Sequence, residues 1–265
     1  MNTQAVRLTA LRAVVAVLVV IGIAGAINRL MNVAAAHGRP VAERAPLQQS
    51  DRAVVALTTF AMGLPAGTAE YVSTESVLTA FAKKFENHPV VTAMHMVPSI
   101  LFMLLAPLQF SKAMRTRHRT LHRYTGRFLL LMATPIAISA IYFGVVYSLA
   151  GMSVWERPTI AIVATLFLYA AIRGFVAIRR RDVARHREWM LRMFAMALGI
   201  STTRLVSVVL TFSVKGSVEA LTVMSMWIGW FVTMGAAELW IRHTRSGARR
   251  DASAIVTPDR AVVAT

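Results

Sequence analysis

Residues 89–110 read PVVTAMHMVPSILFMLLAPLQF, a run of 22 residues without Asp, Glu, Lys or Arg. A helix needs about 20 mostly apolar residues to cross the hydrocarbon of a bilayer, so this run predicts a membrane span. Five further runs that are mostly apolar occur, over 13–30, 128–149, 158–178, 190–212 and 218–241. The sequence therefore predicts an all-α fold, a polytopic integral membrane helix bundle of about six transmembrane helices.

The composition of the chain agrees with this prediction. Of the 265 residues, 56% are hydrophobic and 15% are charged. Soluble domains carry about 25% charged residues, so much of this chain must face something other than water. Because the chain has no cysteine, disulfides, thiolate catalysis and cysteine-ligated clusters are excluded. Carboxylate pairs in the spans, phosphate loops and nucleophile elbows are also missing from the sequence, which argues against a hydrolase.

The net charge of +17 is distributed unevenly along the chain. Nineteen Lys and Arg residues lie at the N-terminus, between spans two and three, between spans four and five, and in the tail. These four segments share one side of a six-span bundle, and the positive-inside rule makes that side cytoplasmic. We therefore expect a bacterial cytoplasmic (inner) membrane protein with both termini in the cytoplasm. Its basic loops would contact anionic lipid, and nucleic acid is not an expected partner.

The first segment, residues 1–30, has two interpretations. It is a transmembrane helix or signal-anchor, or it is a secretory signal that is cleaved near the small residues 34–36. The apolar run is longer than a typical signal core, and Arg29 follows it, which favours a retained span.

The remaining chain divides into three segments. Residues 31–88 form an extracytoplasmic segment, in which 71–85 has the apolar spacing of an interfacial amphipathic helix. Residues 89–241 form a five-helix membrane core. Residues 242–265 form a basic cytoplasmic tail that we expect to be disordered.

Ionisable side chains inside spans are functional candidates, because each costs a few kcal/mol to insert. His95 lies in the second span and Arg204 in the fifth, both in the predicted outer leaflet. The sequence predicts a pocket for a small-molecule ligand lined by His95, Ser99, Ser201, Arg204 and Tyr142. A guanidinium would favour an anionic or carbonyl-bearing ligand. The structural alternative is that Arg204 snorkels, or bonds carbonyls freed by the prolines of the second span.

A His-Arg pair opens both the third and the fifth span. His122 and His186 are predicted at one depth on spans of the same direction, where two imidazoles can ligate one haem iron. Haem b is thus a candidate cofactor, and solvated histidines in basic loops are the alternative. The residues around them are predicted to be interfacial anchors at the cytoplasmic face, namely Arg123, Arg127, Arg187, Trp189 and Arg192.

One further pair of charges occurs near the predicted cytoplasmic face. Arg173 of the fourth span and Glu238 of the sixth lie at similar depth. We expect a structural ion pair between them, because each charge is costly alone in a membrane.

Several of these motifs occur together in one known family. The chain resembles the bacterial predicted-membrane-protein family called domain of unknown function 2306 over about residues 88–212. The motifs that carry the resemblance are Asn87-His88-Pro89 with His95, Pro107-Leu108-Gln109-Phe110, Arg117, His122-Arg123, Gly126-Arg127, Arg181-Asp182, His186-Arg187-Glu188-Trp189-Met190-Leu191-Arg192, and Arg204. The resemblance implies a multi-span inner-membrane protein and points at His95, His122, His186 and Arg204. It implies no reaction.

Three functions remain open from the sequence. The first is binding or transport of a small molecule or ion through the His95 and Arg204 pocket. The second is a haem-b-binding membrane electron carrier, which would make any enzyme activity a haem-linked oxidoreductase. The third is a membrane scaffold or accessory protein without catalysis.

Overall fold

The computed structural model describes residues 3–36, 83–147, 155–214 and 218–256. All regular structure within these ranges is helical, which confirms the predicted all-α class. The helices are α1 (Thr3–Ala36), α2 (Pro89–Gln109), α3 (Lys112–Thr116), α4 (Arg119–Ile141), α5 (Glu156–Arg179), α6 (Val183–Ser213) and α7 (Val218–Val256), and a π-helix (Tyr142–Val146) continues α4.

Six of these helices are long and apolar enough to cross a membrane, as the sequence predicts. Four of the six candidate spans begin before the corresponding apolar run, because helical hydrogen bonding continues into the polar flank. Their bounds are Leu8–Ala36, Pro89–Gln109, Arg119–Val146, Glu156–Arg179, Val183–Leu210 and Ala220–Arg245.

Five helices form a closed ring around a central space. Helix α1 packs on α2, α2 on α4, α4 on α5, and α5 on α6, and α6 returns to α1. Helix α7 packs outside the ring, mainly against α6. Across the ring, Phe102 of α2 and Phe167 of α5 make an edge contact, with ring centroids 5.6 Å apart.

Small residues allow the helices to approach each other closely. Ala133 of α4 and Ala170 of α5 are fully buried. At the α6–α7 contact, a Cβ on Gly229 would lie 2.6 Å from the backbone nitrogen of Thr203. Because lipid tails are as apolar as leucine side chains, close packing of this kind is a main source of helix association in a bilayer.

Helix α1 is an integral wall of the ring. Leu18, Ala26 and Val33 are buried against neighbouring helices. Cleavage near Ala36 would remove this wall.

The two predicted polar segments are described only in part. Most of the predicted interfacial helix over 71–85 lies outside the described residues, and residues 83–86 are helical. Where the sequence predicts a disordered tail from residue 242, α7 instead continues to Val256. Residues 242–256 contain no proline, so nothing in that stretch forbids the helix.

Candidate functional site

The bundle contains two cavities, and the first is lined by Met226 and Trp230 of α7 as well as by helices of the ring. The first, here called the His95 cavity, has a volume of about 300 Å³. The second, called the His122/His186 cavity, has a volume of about 640 Å³. Phe102 lines both, so its side chain lies between them.

The hydrogen bonds of His95 define which nitrogen carries its proton. Its Nδ1 lies 3.1 Å from the carbonyl oxygen of Ile136 and 2.9 Å from Oγ of Ser139. The Ser139 hydroxyl donates to the carbonyl of Pro135 at 2.5 Å, so its Oγ accepts from His95. A neutral His95 is therefore protonated at Nδ1, and its Nε2 keeps a free lone pair.

Arg204 reaches from α6 across to α1. Its Nη1 donates to the carbonyl of Ile21 at 2.8 Å. The guanidinium lies on Gly25, where an added Cβ would come within 2.0 Å of Nη1. Arg204 also lines the His95 cavity. Arg204 thus both lines the cavity and bonds a backbone carbonyl, as the two interpretations from the sequence propose. The carbonyl belongs to α1, however, and not to the proline-containing α2.

The structure brings together three of the five residues predicted for this pocket. His95, Ser99 and Arg204 line the His95 cavity. Ser201 is fully buried but points at α1, where a Cβ on Gly22 would lie 2.8 Å from its Oγ. Tyr142 does not line the cavity.

The Tyr142 side chain has a different partner. Its hydroxyl lies 3.1 Å from Nδ1 of His88, and its ring stacks near Tyr147. The residues of α4 and its π-helical continuation that line the His95 cavity include Ile136, Ala137, Ala140 and Phe143. These residues share one helical face, and Tyr142 lies off it.

Sequence reasoning missed a buried ion pair in the His95 cavity. Lys84 Nζ lies 3.6 Å from a carboxylate oxygen of Glu156, and both side chains are almost fully buried. Burial lowers the pKa of Lys84, and the neighbouring carboxylate of Glu156 offsets this only in part. The two residues are far apart in the chain, so no spacing in the sequence indicates the pair.

In the second cavity, the structure brings the two predicted histidines together. His122 of α4 and His186 of α6 both line it. His186 Nδ1 donates to the carbonyl of Gly174 at 2.8 Å, which leaves its Nε2 lone pair free. His122 Nδ1 and Gln109 Oε1 are buried and have no hydrogen-bond partner among the described residues. Buried polar atoms usually have a partner, so this cavity is polar enough to hold a ligand.

The charge around this cavity is of one sign. Five arginines line it, namely Arg115, Arg123, Arg127, Arg179 and Arg187. No Asp or Glu is among its described lining residues. The other walls are apolar, with Leu129, Phe175, Met193 and Phe194 among them. A cavity of this composition suits an anionic ligand with a large apolar body. Arg123, Arg127 and Arg187, predicted to be lipid anchors, thus also belong to a ligand-sized cavity.

The prediction of an ion pair between Arg173 and Glu238 is wrong. Glu238 instead pairs with Arg192, whose Nε and Nη2 donate at 2.5 and 3.1 Å. Arg173 donates to the hydroxyl of Tyr169 at 3.1 Å and lies near the ring of Trp189. The physical reason is that α7 packs on α6 and scarcely touches α5, so Glu238 faces the helix of Arg192.

Comparison with known proteins places the chain in a family. The model of the family described as Predicted membrane protein (DUF2306) matches residues 92–241. That range contains His95, His122, His186 and Arg204. Searches of curated proteins and of solved structures gave no match. With more than half of its length matched, the chain belongs to the predicted membrane protein family DUF2306.

Proposed function

We propose that the protein is a membrane electron carrier that binds one haem b between His122 and His186. The observation that carries the proposal is that both histidines line one cavity with five arginines and no described carboxylate. Haem b supplies one-electron chemistry when bound, and histidine is a common axial ligand.

The residues present fit this cofactor. The bond from His186 Nδ1 to the carbonyl of Gly174 leaves Nε2 available as a ligand, and ligating histidines usually donate their other ring N–H to a carbonyl or carboxylate in this way. His122 has a buried nitrogen without a described partner. The arginines would bind the two propionates, and the apolar walls would exclude water from the macrocycle.

The test is haem binding by the purified protein. We expect about one haem b per chain after reconstitution with hemin, and a large loss of haem in His122→Ala and in His186→Ala. His118→Ala is the matched control, because His118 is exposed and lies outside the lining of both cavities. Equal haem content in all four proteins would overturn the proposal. Anionic phospholipid co-purifying with a haem-free wild type would assign the cavity to lipid head groups instead.

We further propose a cytoplasmic membrane location with both termini inside. The distribution of basic residues supports it, and in this orientation the His122/His186 cavity would lie at the face where anionic lipid is expected. Because the sequence has no cysteine, labelling of a single introduced cysteine shows on which side of the membrane that position lies. We expect a cysteine at Arg117 to be labelled only from the cytoplasm, and a cysteine at Trp155 only from outside. The reverse pattern would overturn the orientation.

A second candidate function is binding of a small molecule in the His95 cavity. It is supported by the convergence of His95, Ser99 and Arg204 on one cavity. Transport through the bundle would also need passage at the Phe102–Phe167 contact, so binding is the simpler proposal. Mass spectrometry of extracts from wild type and from His95→Phe tests it. A compound retained only by wild type supports it, and identical extracts would contradict it.

A further inference from the structure

The His95 cavity reaches the lateral surface of the bundle. Ile200 and Arg204 both line the cavity, yet Ile200 is 42% exposed and Arg204 is also exposed. Both lie on α6, which has α1 on one side and α7 on the other. Gly25 of α1 and Trp230 of α7 border the same cavity. Since these helices are candidate spans, the opening between α1 and α7 faces the acyl chains of the bilayer.

The walls between the opening and His95 are apolar. They include Phe102, Met103, Phe167 and Met196. A ligand that enters from the bilayer and occupies this space must have an apolar body, because no water is available there to solvate a charged one.

Two polar residues of the cavity, His95 and Arg204, select a particular head group. The other polar lining residues have partners within the protein: Lys84 pairs with Glu156, Ser99 donates to the carbonyl of His95, and Arg29 lies over the ring of Phe85. His95 Nε2 is an acceptor without a proton to give, so it favours a ligand hydroxyl over a carboxylate. Arg204 has five N–H donors; one donates to the carbonyl of Ile21, and none donates to another described residue. The cavity therefore offers an acceptor for a hydroxyl and separate donors for a second oxygen.

We propose that the His95 cavity binds a membrane quinol, which enters between α1 and α7. One ring hydroxyl donates to His95 Nε2, and the second ring oxygen accepts from Arg204. A fatty acid satisfies only Arg204, and a simple long-chain alcohol satisfies only His95. The proposal rests on small-molecule binding at this cavity and does not require haem at His122 and His186.

The experiment measures binding of decylubiquinol to the purified full-length protein in lipid nanodiscs under argon. We expect saturable binding by wild type and weakening by about tenfold in His95→Phe, the value of one hydrogen bond of about 1.4 kcal/mol. His95→Gln, whose amide oxygen also accepts, should bind within about threefold of wild type. Arg204→Met should weaken binding, and His118→Phe should not change it.

A further variant tests the entrance without touching the polar groups. Ile200→Trp places a large side chain at an already exposed position, and should slow association of decylubiquinol. Each variant must have a thermal unfolding midpoint close to that of wild type. If His95→Phe does not fold, Ile200→Trp tests the cavity in its place.

The outcomes separate this inference from the proposed functions. Binding of oleate with displacement of decylubiquinol would overturn the quinol assignment and leave a lipid-binding cavity. No binding of decylubiquinol, or equal binding by His95→Phe, would also overturn it. If extracts still differ between wild type and His95→Phe, small-molecule binding stands and only the ligand class fails. Haem content in the same variants reports separately on the His122/His186 cavity.

Discussion

His186 of α6 is oriented by the backbone of α5, through a 2.8 Å hydrogen bond from its Nδ1 to the carbonyl of Gly174. The two helices are close at this point, because a Cβ at position 174 would lie 2.2 Å from Cε of Met190, which would have to move aside. The bond determines the tautomer of His186 and leaves its Nε2 available in the cavity that His122 also lines. Helix packing between α5 and α6 is thus linked directly to the chemistry available in the His122/His186 cavity.

The contact between α6 and α7 should be intolerant of a single methyl group. Gly229→Ala would bring a Cβ against backbone atoms of Thr203, which cannot rotate away. We expect a loss of about 1–3 kcal/mol in stability, seen as a lower thermal unfolding midpoint in detergent. Gly235→Ala is the matched control, because its Cβ meets nothing within 4 Å. Equal midpoints for the two variants would contradict the close contact.

The partner of Glu238 can be identified by a double-mutant cycle. Arg192→Met and Glu238→Gln should each destabilise the protein by about 2 kcal/mol, because each leaves a charge without its hydrogen-bonded partner. The double variant should lose much less than the sum. Arg173→Met combined with Glu238→Gln should show additive effects. A coupling found with Arg173 and not with Arg192 would favour the pairing predicted from the sequence.

The buried pair of Lys84 and Glu156 predicts a dependence on pH. Burial lowers the pKa of Lys84 in the folded state, so folding opposes its protonation and stability increases as the pH rises towards 10.5. Glu156→Gln removes the carboxylate that raises this pKa. Its thermal midpoint should therefore fall at pH 7 and approach the wild-type value as the pH rises from 7 to 10.

The control for this titration removes the amine as well. The double variant Lys84→Met/Glu156→Gln has no amine at this position. Its thermal midpoint should therefore rise much less with pH, relative to wild type, than that of Glu156→Gln does. A deficit of Glu156→Gln that grows with pH would have the wrong sign and would exclude a buried cation at this position.

The turn between α5 and α6 contains a strained residue. Arg181 has φ = 61°, a left-handed conformation that costs a residue with a Cβ about 1 kcal/mol, and that glycine adopts freely. Asp182 then caps α6 by accepting from the backbone N–H of Arg185. Arg181→Gly should raise stability by up to about 1 kcal/mol in denaturant unfolding. Arg180→Gly, at φ = –84°, should not stabilise.

The sequence predicts the spans well because apolar length is a local property. The depth of His95, His122 and His186 also follows from position along a span, and His95 and Arg204 do line one cavity, as do His122 and His186. Which faces meet is a different matter, because it depends on how the helices rotate and pack. Tyr142 lies off the helical face that Ile136 and Ala140 present to the cavity, and Glu238 pairs with Arg192 of the helix that α7 contacts.

Long-range pairing explains the remaining misses. Lys84 and Glu156 belong to segments with no shared periodicity, so their contact arises only when the ring closes. The same holds for Arg204 and the carbonyl of Ile21, which are 183 residues apart. The spacing of residues along a single sequence does not indicate contacts between segments that lie far apart in the chain.

The most direct test of the central claim is a reduced-minus-oxidised absorption spectrum of the detergent-purified protein from haem-replete cells. Ligation by His122 and His186 predicts a Soret band and sharp reduced bands of a low-spin haem b. These bands should be lost in His122→Ala and His186→Ala and retained in His118→Ala. A colourless wild type, or bands that persist in both variants, would contradict haem binding at this cavity.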